Sequence, residues 1–157
     1  MIRGIHHVAL NTANLERLVA FYRDVLGFTE VVRSGWADNA LIDEIVGVQG
    51  TTAKQVILRA GNCHLEIFQY DRPAAREGGP LRACDRGYTH FCLDVTDIQQ
   101  EYERLTRAGM KFHRAPVDFG EIKATYGRDP DGNIIELQET TDEQAFSMAR
   151  LGTVRFT

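Results

Sequence analysis

The sequence predicts an α+β chain built from two tandem copies of one βαβββ unit, and three observations carry that reading. Two short apolar runs each hold a histidine: Gly4-Ile5-His6-His7-Val8-Ala9-Leu10 and Gly87-Tyr88-Thr89-His90-Phe91-Cys92-Leu93. His7 and His90 stand 83 positions apart (90 − 7), as do Leu10 and Leu93 (93 − 10) and Asn14 and Asp97 (97 − 14). Self-similarity at a fixed offset decides the architecture before any single element does. Each run is followed by a polar turn, a helical pattern, and strand-like runs that close on a glutamate. The reading divides the chain into a first module over 1–70, a linker over 71–87, a second module over 88–139 and a tail over 140–157.

Residues 4–10 have the apolar, β-branched character of a strand, with Ile5, His7 and Ala9 on one face and His6, Val8 and Leu10 on the other. His6 is therefore expected to face the helix layer as a structural residue. Asn14 is a good N-cap, and Leu15, Leu18, Val19, Tyr22, Val25 and Leu26 recur at helical spacing up to Gly27. Phe28 to Val32 reads as a strand. A less regular excursion follows, holding Trp36 and a short helix over Leu41–Val46. Lys54–Arg59 and Asn62–Tyr70 read as paired strands, the second placing His64, Glu66 and Phe68 on one face and Cys63, Leu65 and Ile67 on the other.

Residues 71–87 gather Pro73, Gly78, Gly79, Pro80 and Gly87, the composition of a linker. The pattern then restarts. Asp97 caps a helix carrying Ile98, Tyr102 and Leu105, and Gly109 ends it. Lys111–His113 reads as a strand, and Ile122–Gly127 and Ile134–Glu139 as a hairpin around Asp129-Pro130-Asp131-Gly132-Asn133. Ile134, Glu136 and Gln138 share a face of the last strand. The tail is mildly helical over Glu143–Leu151.

An amphipathic helix must cover one face of each sheet. The other face then presents His7, Glu66, His90 and Glu136, chemistry that suits a cleft rather than a second core. Two imidazoles and two carboxylates fit a divalent ion such as Ni²⁺, Zn²⁺, Co²⁺, Mn²⁺ or Fe²⁺. An unpaired carboxylate within the apolar strand at Glu136 would be costly, which favours a ligand there. Glu66 reads either as a ligand or as an exposed sheet carboxylate, and His64 as a rim histidine or as a ligand in its place. Cys92 shares the face of His90 but reads as a small core thiol. Trp36, Tyr126, Arg59 and Lys123 read either as pocket-lining residues or, more simply, as packing and surface residues, and none is singled out as catalytic.

Bulk properties narrow the function classes. The formal charge is −4, so no basic field points to nucleic acid. No apolar run approaches the ~20 residues that span a bilayer, and the first residues lack the apolar core of a signal peptide. Three cysteines in no paired spacing read as reduced thiols of a cytoplasmic protein. The expected partner is a small-molecule substrate, and open sheet edges in the first module suggest a homodimer.

His7-Val8-Ala9-Leu10, Asn14-Leu15-Glu16 and Phe21-Tyr22-Arg23-Asp24-Val25-Leu26-Gly27-Phe28, with Asp129-Pro130-Asp131-Gly132-Asn133 leading into Ile135-Glu136-Leu137, resemble the vicinal oxygen chelate superfamily over about residues 4–139. That superfamily includes glyoxalase I, extradiol dioxygenases and the fosfomycin and bleomycin resistance proteins. The resemblance implies a curved mixed-sheet cup with helices on its outer face, and metal ligands at His7, Glu66, His90 and Glu136. An acidic residue at the Glu66 position looks like the lyase and isomerase branch. The expected activity is thus that of a metal-dependent lyase or isomerase of the glyoxalase I type. It would act on vicinal oxygens through an enediolate, with Glu136 or Glu66 moving the proton. The alternatives are an Fe²⁺ extradiol dioxygenase using His7, His90 and Glu136, and a binding or resistance protein without turnover.

Overall fold

The computed structural model describes residues 2, 4–76, 78–144 and 146–151. The chain divides into two compact units, one spanning Gly4–Gly79 and the other running from Pro80 onward. Each contains one mixed sheet with its own helices, an α+β architecture.

In the first unit β1 (His7–Asn11) is followed by α1 (Leu15–Ala20), a π-helical turn (Phe21–Val25), β2 (Thr29–Ala37), α2 (Ala40–Val46), β3 (Thr52–Ala60) and β4 (Cys63–Arg72). The sheet order is β1-β4-β3-β2, with β1 parallel to β4 and the other pairs antiparallel. Strand alternation sorts the side chains. Val56, Leu58, Leu65 and Ile67 are buried, together with Leu15, Leu18, Val19 and Tyr22 from the helical segment. Each such side chain contributes roughly 1.5–3 kcal/mol when fully withdrawn from water. The Asn14 side chain accepts from the Arg17 amide at 3.1 Å, the expected cap. A second orphan donor, the Leu15 amide, is taken by Gln69 Oε1 of β4 at 2.9 Å.

Three features depart from the sequence expectation. Strand pairing begins at His7 opposite His64, not at Gly4, whose φ is 147°. The continuous helical spacing over 15–26 hides a widened turn, in which the Leu26 amide reaches Phe21 O at 3.1 Å. Strand β2 also runs on through Trp36, because that residue pairs with Ala53 and meets Phe68 and Tyr70 edge-on. Long-range pairing here overrides a stretch whose sequence is irregular. The short helix appears where expected, capped by Asn39 and ended by Gly47 at φ 69°. Its buried Asp43 accepts from the amides of Gly50 and Thr51 at 2.7 and 3.0 Å and from the Thr51 hydroxyl.

The second unit repeats the plan: β5 (His90–Asp94), α3 (Ile98–Arg107), β6 (Lys111–Phe112), β7 (Val117–Asp118), β8 (Ile122–Arg128) and β9 (Ile134–Thr140). The order is β5-β9-β8-β6, β5 is parallel to β9, and the unanticipated two-residue β7 pairs with β8. Ile98, Leu105, Met110, Ile135 and Leu137 are buried. Asp97 caps α3 through the Gln100 amide at 3.2 Å, and the Ile98 amide is caught by Glu139 Oε2 at 3.0 Å. Gln69 and Glu139 are equivalent: each lies three residues beyond the candidate glutamate of its last strand. In the β8–β9 turn Asp129 accepts from the Asp131 and Asn133 amides, both at 2.9 Å, and from Asn133 Nδ2 at 2.8 Å. That explains the Asp-Pro-Asp-Gly-Asn chemistry.

The expected helical tail is a single turn, α4 (Met148–Leu151). Residue 145 within the expected helical span, and residues 152–157 of the tail, lie outside the described residues. No helix among the described residues is long and apolar enough to cross a membrane.

Candidate active site

Both histidine strands pair in parallel with the closing strand of their own unit, and the register is the same in each. His7 lies opposite His64 and Ala9 opposite Glu66; His90 lies opposite Ile134 and Cys92 opposite Glu136. Histidine and glutamate are thus diagonal neighbours on one sheet face, within reach of long side chains. His7 Nε2 lies 3.3 Å from Glu66 Oε2, and His90 Nε2 lies 3.2 Å from Glu136 Oε2. Both carboxylates are largely covered, at 12% and 14% side-chain exposure, whereas the imidazoles are more open at 44% and 30%. The core residues Leu65, Ile67, Ile135 and Leu137 alternate with them on the opposite face.

The surroundings of the two carboxylates differ. Gln55 Nε2 of β3 donates to Glu66 Oε1. The Tyr70 phenol is raised above its usual range, by burial first and then by the charge of Glu66. In the second unit Tyr126 lies directly opposite Glu136, its ring edge-on to His90 at 5.1 Å. Burial, then the charges of Glu136 and Cys92 and a hydrogen bond to Glu136, raise the Tyr126 phenol. Loss of water around its sulfur, the charge of Glu136 and a hydrogen bond to it push the Cys92 thiol up to about 12. Phenol and thiol are therefore protonated donors at neutral pH.

The residues beside the histidines complete the picture. His6 does not face the helix layer as alternation suggested. It precedes the first paired residue of β1, so the strand period does not govern it. Its exposed ring stacks on His64 at 5.0 Å, and its Nδ1 lies 2.9 Å from His7 Nδ1. His64 Nδ1 lies 3.2 Å from His6 O. Thr89 Oγ1 lies 3.1 Å from His90 Nδ1.

Cys92, read as a core thiol, stands on the Glu136 face instead, because its register partner is Glu136 itself. Trp36 joins Phe68 and Tyr70 on the Glu66 face. Arg59 pairs with His64, and Tyr126 belongs to the second pair. Lys123 takes its surface reading: opposite Glu139 in register, it lies on the face away from Glu136, 3.6 Å from the Glu139 carboxylate. Gln55, His6 and Thr89 were missed as site residues. The signal for the last two was present in the sequence, since each immediately precedes a candidate histidine.

The donor chemistry fits a divalent ion. Two ligands bound at ~2.0–2.2 Å and adjacent on one ion lie ~3.0–3.4 Å apart, the separation found in both pairs. Each pair supplies two donors; among the described residues no group of three or more His, Cys, Asp or Glu side chains is placed to hold a metal ion.

The protein YaeR of Escherichia coli, itself uncharacterized, is 28% identical over 139 residues, covering 88% of this chain and 97% of its own. The lactoylglutathione lyase of Salmonella typhimurium is 30% identical over 138 residues, covering 87% and 92%. A crystal structure of a glyoxalase family protein from Bacillus cereus superposes with a TM-score of 0.79 at 18% identity, covering 89% of this chain and 95% of that one, a likeness of fold alone. Residues 4–137 match the family model, and the chain belongs to the Glyoxalase/Bleomycin resistance protein/Dioxygenase superfamily.

Proposed function

We propose that the protein is a cytoplasmic, metal-dependent lyase or isomerase of the glyoxalase I type, acting on a small substrate with oxygens on adjacent carbons. The observation that carries the reading is the repeated pair, His7–Glu66 and His90–Glu136, with N···O separations of 3.3 and 3.2 Å. The 30% identity to a lactoylglutathione lyase supports the same reaction class. In this reading His7, Glu66, His90 and Glu136 are metal ligands, and the working assembly is a homodimer. β1 and β5 are edge strands of their own sheets, with backbone groups open to a neighbour.

When bound, the ion would supply a Lewis acid that makes a C–H beside a coordinated oxygen more acidic. His7 and His90 would hold it through Nε2, and Glu66 and Glu136 through carboxylate oxygens. Glu66 is the fixed anchor, because Gln55 Nε2, which holds it, can only donate, while Gln55 Oε1 accepts from the Ser34 hydroxyl. Glu136 is the group that takes and returns a proton at substrate carbon. Its neighbours Tyr126 and Cys92 are exchangeable hydroxyl and thiol donors that can compensate its changing charge.

The test is metal content and turnover in one preparation. Protein stripped and reconstituted with Zn²⁺, Ni²⁺, Co²⁺, Mn²⁺ or Fe²⁺ should bind one ion per chain and isomerise the hemithioacetal of a 2-oxoaldehyde and a thiol to the 2-hydroxyacyl thioester. His7→Ala and His90→Ala should each abolish binding, since neither pair alone holds an ion tightly. Absence of a stoichiometric ion would sink the reading. Halved binding in each variant would mean two separate two-donor sites. Oxygen uptake with catechols under Fe²⁺ would assign a ring-cleaving dioxygenase instead. Light scattering checks the dimer.

A further inference from the structure

The two units share a contact that lies behind the histidines rather than in front of them. In each, Nε2 faces the carboxylate while Nδ1 meets the side chain of the residue immediately before. His7 Nδ1 is 2.9 Å from His6 Nδ1, and His90 Nδ1 is 3.1 Å from Thr89 Oγ1. We propose that His6 and Thr89 are positioning residues that accept the Nδ1–H of His7 and His90, fixing the tautomer whose Nε2 lone pair is free for a metal. The inference rests on the metal reading above.

The physical case begins with the imidazole. A neutral ring has one N–H and one lone pair, and which nitrogen carries the proton is set by what the other meets. A metal takes the lone pair, so the remaining N–H needs an acceptor, and metal-bound histidines nearly always find one in a carboxylate, a carbonyl or water. Here the acceptors are a second imidazole and a hydroxyl. Two imidazole nitrogens at 2.9 Å must share one hydrogen, and with His7 Nε2 committed to an ion that hydrogen comes from His7. His6 is in turn held by stacking on His64, and His64 Nδ1 lies 3.2 Å from its backbone oxygen. The His6 ring therefore reaches His7 in one orientation. Thr89, half-buried, needs no such brace because a hydroxyl rotates to suit. The coincidence of position in both halves is the strongest part of the argument. The two acceptors are chemically unlike, yet each sits one residue ahead of its histidine and meets the same ring nitrogen.

The experiment uses the full chain and zinc alone. His6→Phe keeps a ring to stack on His64 but removes the acceptor; Thr89→Val keeps the shape and removes the hydroxyl. His6→Asn and Thr89→Ser restore an acceptor. Zinc affinity is measured by competition with a chelating dye, and the ring Nδ1–H resonances of zinc-loaded protein by ¹⁵N-edited NMR. Each acceptor-less variant should bind zinc about 10–100-fold more weakly, the usual cost of losing an outer-shell partner. The Nδ1–H resonance of the affected histidine alone should broaden by exchange with water. The conservative variants should recover both readouts, which a merely structural role would not require. If wild-type protein binds zinc and both acceptor-less variants bind it equally well, with ring resonances unchanged, the positioning role is wrong and the metal reading stands. If wild-type protein binds no zinc, the metal reading and this inference fall together.

Discussion

The two His–Glu pairs have the same geometry in different surroundings. Register alone produces the likeness: a parallel pairing of the histidine strand with the closing strand puts imidazole and carboxylate on one diagonal in both units. The surroundings have diverged. Glu66 is held by an amide, while Glu136 lies among a phenol and a thiol. The same contrast runs through the helix ends, where Asn14 and Gln69 in the first unit correspond to Asp97 and Glu139 in the second. The backbone fixes where a donor stands, and its neighbours decide what it can do there.

The largest test of that contrast is Glu136→Gln against Glu66→Gln. If Glu136 moves the proton as proposed, its loss should lower kcat by about 10²–10⁴-fold at saturating metal. If Glu66 is the anchoring ligand, its loss should act first on metal affinity. Equal effects on kcat would show that the difference in surroundings carries no division of labour.

Core tolerance gives a second comparison. A Cβ at Gly127 would meet Met110 Cε at 2.5 Å and the Phe112 ring at 2.9 Å, whereas one at Gly35 would meet Ala53 O at 2.7 Å. Gly127→Ala should cost about 1–3 kcal/mol by overpacking in a denaturant titration, with part of the strain taken up by movement of Met110. Gly35→Ala presses on backbone, and should be the worse of the two.

Asp43 tests the first unit at acid pH. Hydrogen bonds from the Thr51 hydroxyl, the Thr51 amide and the Gly50 amide hold its carboxyl below the usual aspartate range. A lowered folded pKa contributes stability that is full above the unfolded value of about 4 and is lost as pH falls through the folded value. The Tm gap between wild type and Asp43→Asn should therefore be widest at neutral pH and close below pH 4. A gap that stayed constant would show that the ionised form is not what matters.

The smallest effect lies at the helix caps. Asn14 is extended at φ −144°, but Asp97 caps from φ 53°. Asn14→Ala should cost about 1 kcal/mol. Asp97→Ala should cost more, because alanine tolerates positive φ less well, and Asp97→Gly should recover part of the loss. If the two alanine variants melt alike, backbone geometry does not separate the caps.

Much of this was legible in the sequence because it rests on periodicity. Both caps, the β8–β9 turn and the partition of each closing strand into core and site faces follow from residue type and spacing. What could not be read depends on pairing across the sheet. Gln55 became visible only when β3 was laid beside β4, and Lys123 left the candidate pocket once its register partner was Glu139 rather than Glu136. The π-helical turn at Phe21–Val25 was hidden because its apolar residues still satisfy a helical period. His6 escapes strand alternation because it lies one residue before the pairing of β1 begins.

Strand alternation also bears on how such a protein changes over time. Leu65, Ile67, Ile135 and Leu137 hold the fold from one side of strands whose other side carries Glu66 and Glu136. A substitution on the chemical side leaves the packed side intact, so mutational drift can rewrite the donor set while the scaffold keeps folding. A lineage built this way can exchange one reaction for another, or lose catalysis and keep binding, without passing through an unfolded ancestor. The breadth of the superfamily name, spanning glyoxalase, resistance protein and dioxygenase, is the outcome such a separation permits.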